Sequence, residues 1–371
     1  MLDGLPLAIA QAGAYLQESG IGVQKYLEVY EQQWERLMGM QDAGKSVIQD
    51  YADRSVWTTW TISFHAIRER DGAVANLLLL WSFLGNNDLW YGLFEEACAS
   101  NTSVMEALSM WVGSLGANEV EFACAMRLLR NYSMIEELED VASYASHPVV
   151  HRWANFYTGE ESRDKLAGLA VRIIGWAVPH NSTRDYMSLQ KRLLPHALAC
   201  SRWMKGRVEG KRIGAREDVV GATHLLGSLF ANQGKLSEAE KMYMRALQGK
   251  EEALGPKHTS TLGTVNNLGA LYAGQGKLGE AETMYMRALQ GYEEALGVAA
   301  ANSYMPALCT IWSFGELYAK LNEKQNAKAM YERAIAGFAA VRGSSSDTCI
   351  CIRSRLDALG FSTENQTVAH G

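Results

Sequence analysis

Residues 234–255 read GKLSEAEKMYMRALQGKEEALG, and residues 276–297 read GKLGEAETMYMRALQGYEEALG. The two stretches differ only at Ser237/Gly279, Lys241/Thr283 and Lys250/Tyr292, at an offset of 42. The residues before each also match: Leu226-Gly227-Ser228-Leu229-Phe230-Ala231 stands against Leu268-Gly269-Ala270-Leu271-Tyr272-Ala273. A looser third copy follows a longer loop, with Phe314-Gly315-Glu316-Leu317-Tyr318-Ala319 and then Ala327, Tyr331, Arg333, Ala334 and Ile335. Self-similarity at a fixed period of this kind is the sequence signature of stacked repeats.

Each unit holds two helical patterns broken by a Gly-rich turn such as Gly274-Gln275-Gly276. In the second pattern Ala281, Tyr285, Ala288 and Leu289 fall at helical spacing on one stripe. The small residues Gly269, Ala281 and Ala288 permit close helix approach, and Tyr272 and Tyr285 fill the space between. One unit cannot bury its stripe alone, so neighbours stack and leave a concave groove. These residues resemble the tetratricopeptide repeat, in the 42-residue form familiar from kinesin light chains, and Leu254-Gly255-Pro256-Lys257-His258 resembles its inter-repeat loop. The resemblance implies a protein-binding scaffold over residues 218–342, about three repeats, with no chemistry of its own. In this fold the first-helix residues off the packing stripe line the groove; here they are His224, Ser228, Asn232, Asn266, Asn267, Trp312, Glu316 and Lys320. Trp312 is the hot-spot candidate, since a Trp buries much apolar area and keeps an N–H to donate; its competing role is packing within the third repeat.

Composition narrows the function classes. Apolar residues make up 48% and charged residues 20% of the 371, and Lys plus Arg number 35 against 41 Asp plus Glu. That mild acidity argues against a nucleic-acid-binding protein. The longest apolar run, Leu77 to Leu84, is far shorter than the roughly 20 residues that span a bilayer. The first residues lack the basic start of a secretory signal, and the cysteines show neither disulfide nor zinc spacing. A cytoplasmic protein without a cofactor of its own is expected.

Residues before 218 contain no repeat and hold every tryptophan but Trp312. Helices are expected from Pro6 through Leu16, from Val23 to Met38, from Val56 through Ile67, over Leu77–Leu84 and Val120–Leu129, and from Pro148. Tyr132–Glu136 and Val141–Ala145 read as two short strands of a hairpin. That order is what a winged-helix domain looks like. It resembles the later half of the nucleotide-binding module of fungal NLR-like (STAND, NB-ARC) receptors, on four stretches. Gly4-Leu5-Pro6-Leu7-Ala8 matches the GLPLA motif, and Trp57–Phe64 resembles the segment joining the helical and winged-helix domains. Ser146–Trp153 sits where the family has its MHD-type motif, and Arg192-Leu193-Leu194-Pro195-His196-Ala197 resembles the spacer helix before the repeats. The resemblance implies that Pro6 and His147 contact a nucleotide, although Pro148 replaces the motif's Asp. It divides the chain into a helical domain at 1–65, a winged-helix-like domain at 66–158, a helical spacer at 159–217, the repeats at 218–342, and a capping helix with a disordered tail at 343–371. The family's nucleotide-binding core would precede Gly4, so ADP or ATP is expected only where that core is present.

Other strings point elsewhere. Gly39-Met40-Gln41-Asp42-Ala43-Gly44-Lys45-Ser46 spells a Walker A motif. Such a loop needs a buried strand to deliver it, whereas Tyr30–Met38 reads as an amphipathic charged helix. His147 and His151 stand four apart but lack the metalloprotease glutamate. The basic cluster Arg202, Lys205, Arg207, Lys211, Arg212 and Arg216 reads as a solvated linker. The sequence thus predicts a mostly α protein: a helical and a winged-helix part, then a tetratricopeptide α-solenoid. It is expected to be not an enzyme but a scaffold for a protein or peptide ligand, as the sensor portion of an NLR-like receptor. The alternatives are a stand-alone adaptor of kinesin-light-chain type and, more remotely, an ATPase using residues 39–46.

Overall fold

The computed structural model describes residues 6–39, 51–139, 142–180, 182–205 and 217–361. The chain divides into two compact units, residues 1–214 and 215–371. Most of the Walker-like string, the basic residues from 207 to 216, Leu5 and the residues before it, Val141 and the last ten residues lie outside the described residues.

The first unit runs α1 (Pro6–Ser19), α2 (Val23–Gly39), α3 (Tyr51–Arg70), α4 (Gly72–Trp81), α5 (Tyr91–Ser100), α6 (Thr102–Val112), α7 (Glu119–Asn131), β1 (Glu136–Leu138), β2 (Ser143–Ala145), α8 (Pro148–Tyr157), α9 (Glu160–Trp176) and α10 (Tyr186–Lys205). Helix α4 is its centre. Asp71 caps it, its carboxylate accepting from the Ala73 and Val74 N–H groups at 2.8 and 3.2 Å. Every residue from Leu77 to Trp81 is buried, so this helix is apolar all round because α3, α6, α7, α8 and α9 surround it. The apolar run continues past its end, with Phe83 and Leu84 buried in the following turn.

Asn101 and Asn118 cap α6 and α7 with their side-chain oxygens, and Pro148 opens α8 at a position where no N–H is needed. The expected hairpin is present but starts later than its sequence suggested. Tyr132 closes α7, and Ser133 takes a positive φ of 52° that turns the chain, so pairing begins only at Glu136. The boundary expected between residues 65 and 66 falls inside α3, which continues unbroken to Arg70.

The Arg192–Ala197 stretch anchors α10 on the loop that follows α4. The Arg192 guanidinium holds the Asp88 carboxylate through two hydrogen bonds of 2.9 and 2.6 Å and lies 4.0 Å over the Trp90 ring. The buried His196 accepts from the Gly85 N–H at 3.0 Å, and its other ring nitrogen lies 3.1 Å from the Asp88 carbonyl. Burial pushes its pKa down to about 4, which keeps the ring neutral.

The second unit is the repeat array: α11 (Glu217–Asn232), α12 (Leu236–Leu254), α13 (Thr259–Gly274), α14 (Leu278–Leu296), the short α15 (Val298–Ala301), α16 (Met305–Lys320), α17 (Lys324–Arg342) and α18 (Asp347–Ala358). Helices α11, α13 and α16 are the first helices of three units, and α12, α14 and α17 the second. Within each unit the two helices interlock through two glycines. A Cβ on Gly227, Gly269 or Gly315 would fall 2.6–2.8 Å from the ring of Tyr243, Tyr285 or Tyr331. A Cβ on Gly249, Gly291 or Gly337 would fall 2.2–2.7 Å from a methyl of Val220, Leu262 or Leu308. The turns from first to second helix need a left-handed residue, which is Gly234, Gly276 and, in the third repeat, Asn322 with φ 62°.

The four additional residues before the third unit form α15 rather than loosening the seam. The expected capping helix begins at Asp347. It buries Cys349, Ile352 and Leu356, as α13 buries Thr261, Thr264 and Leu268 at equivalent distances from a closing glycine. It is therefore the first helix of a fourth unit, with Asp357 where the other units have their tyrosine-contacting glycine.

Gly269→Ala is expected to destabilise the array by about 1–3 kcal/mol, because the new methyl group must displace a buried aromatic ring. Gly274→Ala, where nothing lies within 4 Å, is expected to stabilise α13 slightly. Urea melts of the two variants beside the parent chain check the opposite signs.

Candidate functional site

Each second helix packs against its own first helix and against the next first helix, while successive first helices also touch one another. Successive second helices are joined instead by long side chains: Arg287 to Glu251, and Arg333 to Glu293 at 2.7 Å. A stack closer on the first-helix side curves towards that side, so the first helices form the inner face. Equivalent positions along it are His224, Asn266 and Trp312, and one turn further Ser228, Ala270 and Glu316.

The predicted inner-face residues divide into three groups. At the seam between units one and two, His224, Ser228 and Asn267 are tied to one another and to the core. The His224 ring packs on Tyr243 at 5.5 Å; its Nδ1 lies 3.1 Å from the Thr264 hydroxyl and its Nε2 3.4 Å from the Asn267 amide. Ser228 accepts the Tyr243 hydroxyl hydrogen bond at 3.0 Å, and Asn266 donates to Asn267 at 3.4 Å. At the third unit Glu316 is a hub. It accepts from the Tyr331 hydroxyl at 2.9 Å and the Trp312 indole N–H at 3.3 Å, with Arg355 3.7 Å away. Trp312 is half-buried and packs edge-on against Phe338, so it has both the packing role and an accessible edge. Asn232 and Lys320 are exposed at the C-terminal ends of α11 and α16.

One residue of this site escaped the sequence reading. Lys250 stands where the other units have Tyr292 and Phe338, and it is 8% exposed. Its ammonium donates to the Ser260 carbonyl at 3.1 Å and to the Thr264 hydroxyl at 3.0 Å, and no carboxylate pairs with it among the described residues. Burial lowers its pKa to about 8. His224, across Thr264, is pushed down to about 3, first by burial and then by the Lys250 charge. The signal was present as one of the three differences between near-identical stretches, but a lysine on an otherwise amphipathic helix reads as exposed.

In the first unit, Leu7 and His147 meet at one open cavity of about 970 Å³, lined also by Arg130, Glu136, Glu137 and Glu139. Pro6 stands exposed at the first position of α1. His147 is exposed and caps α8; its Nδ1 accepts the Val149 N–H at 3.3 Å, leaving Nε2 uncommitted by that bond. Arg130 is already paired with Glu137, and three carboxylates surround the space. These residues alone do not fit the phosphates of a nucleotide. His151 is half-buried with its Nε2 3.0 Å from the Trp81 carbonyl, so it does not join His147 as a ligand pair. No group of three metal-ligating side chains occurs among the described residues. The segment that reaches Gly39 is the helix α2, not the strand a phosphate-binding loop requires. No described helix is long and apolar enough to cross a membrane.

Comparison with known proteins agrees with the array. Residues 218–294 and 311–336 match the tetratricopeptide repeat family. The chain is 26% identical over 272 residues to a nucleotide-binding leucine-rich repeat (NLR)-like protein of Hyaloscypha variabilis, an alignment covering 71% of this chain and 24% of that relative. The chain thus matches about a quarter of the relative's length. Among solved structures it is similar to BtubC (BKLC) from P. vanneervenii, at 17% identity and a TM-score of 0.38, covering 72% of this chain and 82% of that one. It is also similar to a Podosopora anserina putative kinesin light chain with nearly identical TPR-like repeats, at 13% identity and a TM-score of 0.39, covering 54% and 87%.

Lys250→Tyr, which restores the residue of the second unit, is expected to raise the melting temperature most at neutral pH. The folded pKa of Lys250 lies below its unfolded value of 10.5, so the unfolded chain binds the extra proton between pH 8 and 10.5. The penalty is full below pH 8 and fades as pH rises through that window. The difference in melting temperature between variant and parent, followed from pH 7 to pH 10.5, should therefore shrink; a constant difference would refute the burial of the charge.

Proposed function

We propose that this chain is the partner-sensing and coupling portion of an NLR-like signalling receptor. Its repeats take a segment of another protein on their inner face, and its first unit passes occupancy to a nucleotide-bearing domain. The observation that carries this reading is the extent of the likeness to the H. variabilis protein. The aligned 272 residues outnumber residues 215–371, so the alignment reaches well into the first unit and is not a match of repeats alone.

The cavity supports it. Leu7 belongs to the GLPLA-like stretch and His147 to the MHD-like stretch; they are about 140 residues apart in sequence, yet they line one space. In the winged-helix reading of residues 66–158, the hairpin and α8 would face a nucleotide-bearing domain across this cavity. The phosphates would then be held by that domain's own cations. The acidic rim of this unit would meet them only through His147.

A stand-alone adaptor of kinesin-light-chain type is the second reading, favoured by the 42-residue period and the Gly–Tyr packing. The two readings part on coupling. Hydrogen exchange of the full chain, measured free and saturated with a peptide selected on the array, should show altered protection across residues 130–150 for a receptor. Protection confined to residues 217–361 would leave the adaptor. Magnesium–ADP titrated into the same chain is expected to give no binding heat; micromolar binding abolished by Lys45→Ala would overturn both readings in favour of an ATPase.

A further inference from the structure

The array sorts its charges by face. Most ion pairs among the described residues of the second unit run along the second helices and inter-repeat loops: Glu240 with Lys277, Glu251 with Arg287, Glu293 with Arg333, Lys257 with Glu294, and Lys328 with Glu332. The inner face carries Glu316 with Arg355, at the end of the array, and the exposed Lys320. Over the first two units its floor is His224, Ser228, Asn266, Asn267 and Ala270, all uncharged as the structure holds them.

His224 is the residue that could have charged this floor, and its environment prevents that. Thr264 and Asn267 engage its ring nitrogens, and the Lys250 ammonium approaches the same Thr264 hydroxyl from the other side. A proton on His224 would bring two cations to one buried hydroxyl. Ala270, one turn after Asn266, is a small residue at an exposed position on the same stripe. In the third unit the equivalent position rises to Trp312, whose carboxylate partner Glu316 is already engaged by Tyr331.

We infer that the inner face selects an extended protein segment without charged side chains, anchored by one large apolar residue against Trp312. This rests on the partner-binding reading above and narrows it. A charged segment would lose its water here and find no exposed counter-charge on the floor of the first two repeats, since the Lys250 ammonium lies buried beneath it and is engaged by Ser260 and Thr264. Recognition of a neutral segment by shape and amide hydrogen bonds also leaves little for salt to screen.

The test is a display selection of random dodecapeptides on the purified full chain, followed by titration of the enriched peptides as free synthetic ligands. Enriched sequences should be depleted in Asp, Glu, Lys and Arg and share an apolar position. Their affinity should change less than about twofold between about 50 and 500 mM salt. Ala270→Glu, at an exposed position on the floor, should weaken them at least about tenfold, as a charged side chain placed under a desolvated ligand would. Met244→Glu, on an exposed second-helix position, should leave them unchanged. Enrichment of charged peptides with steep salt dependence would overturn the inference and leave partner binding standing. Neutral peptides that bind Ala270→Glu as well as the parent would overturn it by placing the site elsewhere. Failure to enrich any peptide would count against the partner-binding reading itself.

Discussion

The array depends on a single exchange between backbone and ring: a tyrosine of each second helix lies where a first-helix side chain would otherwise begin. With glycine at 227, 269 and 315, the two helices approach until Tyr243, Tyr285 and Tyr331 lie against bare backbone, and each ring is buried. The hydroxyl then reaches a polar partner of the first helix, Ser228 in the first unit and Glu316 in the third. The tilt that this contact fixes brings the second helix onto the following first helix, so seam, curvature and inner face follow from it. The reciprocal contact, Val220, Leu262 or Leu308 against a second-helix glycine, holds the other end of the pair.

That exchange was legible in the sequence because it repeats. The spacing of Gly269, Ala281, Tyr285, Ala288 and Leu289 marks them as packing positions, and all five are buried. Helix extents in the first unit were legible where a cap marks them, as at Pro148, and displaced where the turn chemistry is silent. Tyr132 looks like a strand residue by type, yet the next residue, Ser133, adopts a left-handed turn that propensity does not announce. The buried charge at Lys250 was not legible at all. Periodicity says which face a residue occupies, but two faces of a solenoid helix are buried, one against its own unit and one against the next.

The first unit is organised differently, around one helix rather than a repeated pair. Helix α4 is enclosed by five others, and the elements with a sequence resemblance to the receptor family fasten onto its surroundings. His151 binds its last carbonyl, Asn155 binds Ser82, and Arg192 with His196 grips the loop from Gly85 to Asp88. Of the carbonyls that end α4, those of Leu78, Leu80 and Trp81 accept from the backbone N–H groups that follow and that of Leu79 from the Ser82 hydroxyl, while His151 of α8 also engages the Trp81 carbonyl. A movement of α8 would have to release the His151 and Asn155 bonds, and a movement of α10 those of Arg192 and His196.

The near-identity of the first two repeats makes their seams interchangeable. Glu251 meets Arg287 as Glu293 meets Arg333, and Glu240 meets Tyr272 as Glu282 meets Tyr318. A gene that duplicated or lost one 42-residue stretch would encode a protein whose every new junction was already compatible. Growth after α18 is another matter, because Asp357 occupies the position where a tyrosine would need bare backbone. Such an array changes length from within, and each change shifts the spacing between its neutral floor and its tryptophan. Partner choice could then drift by whole units while the fold stayed as it is.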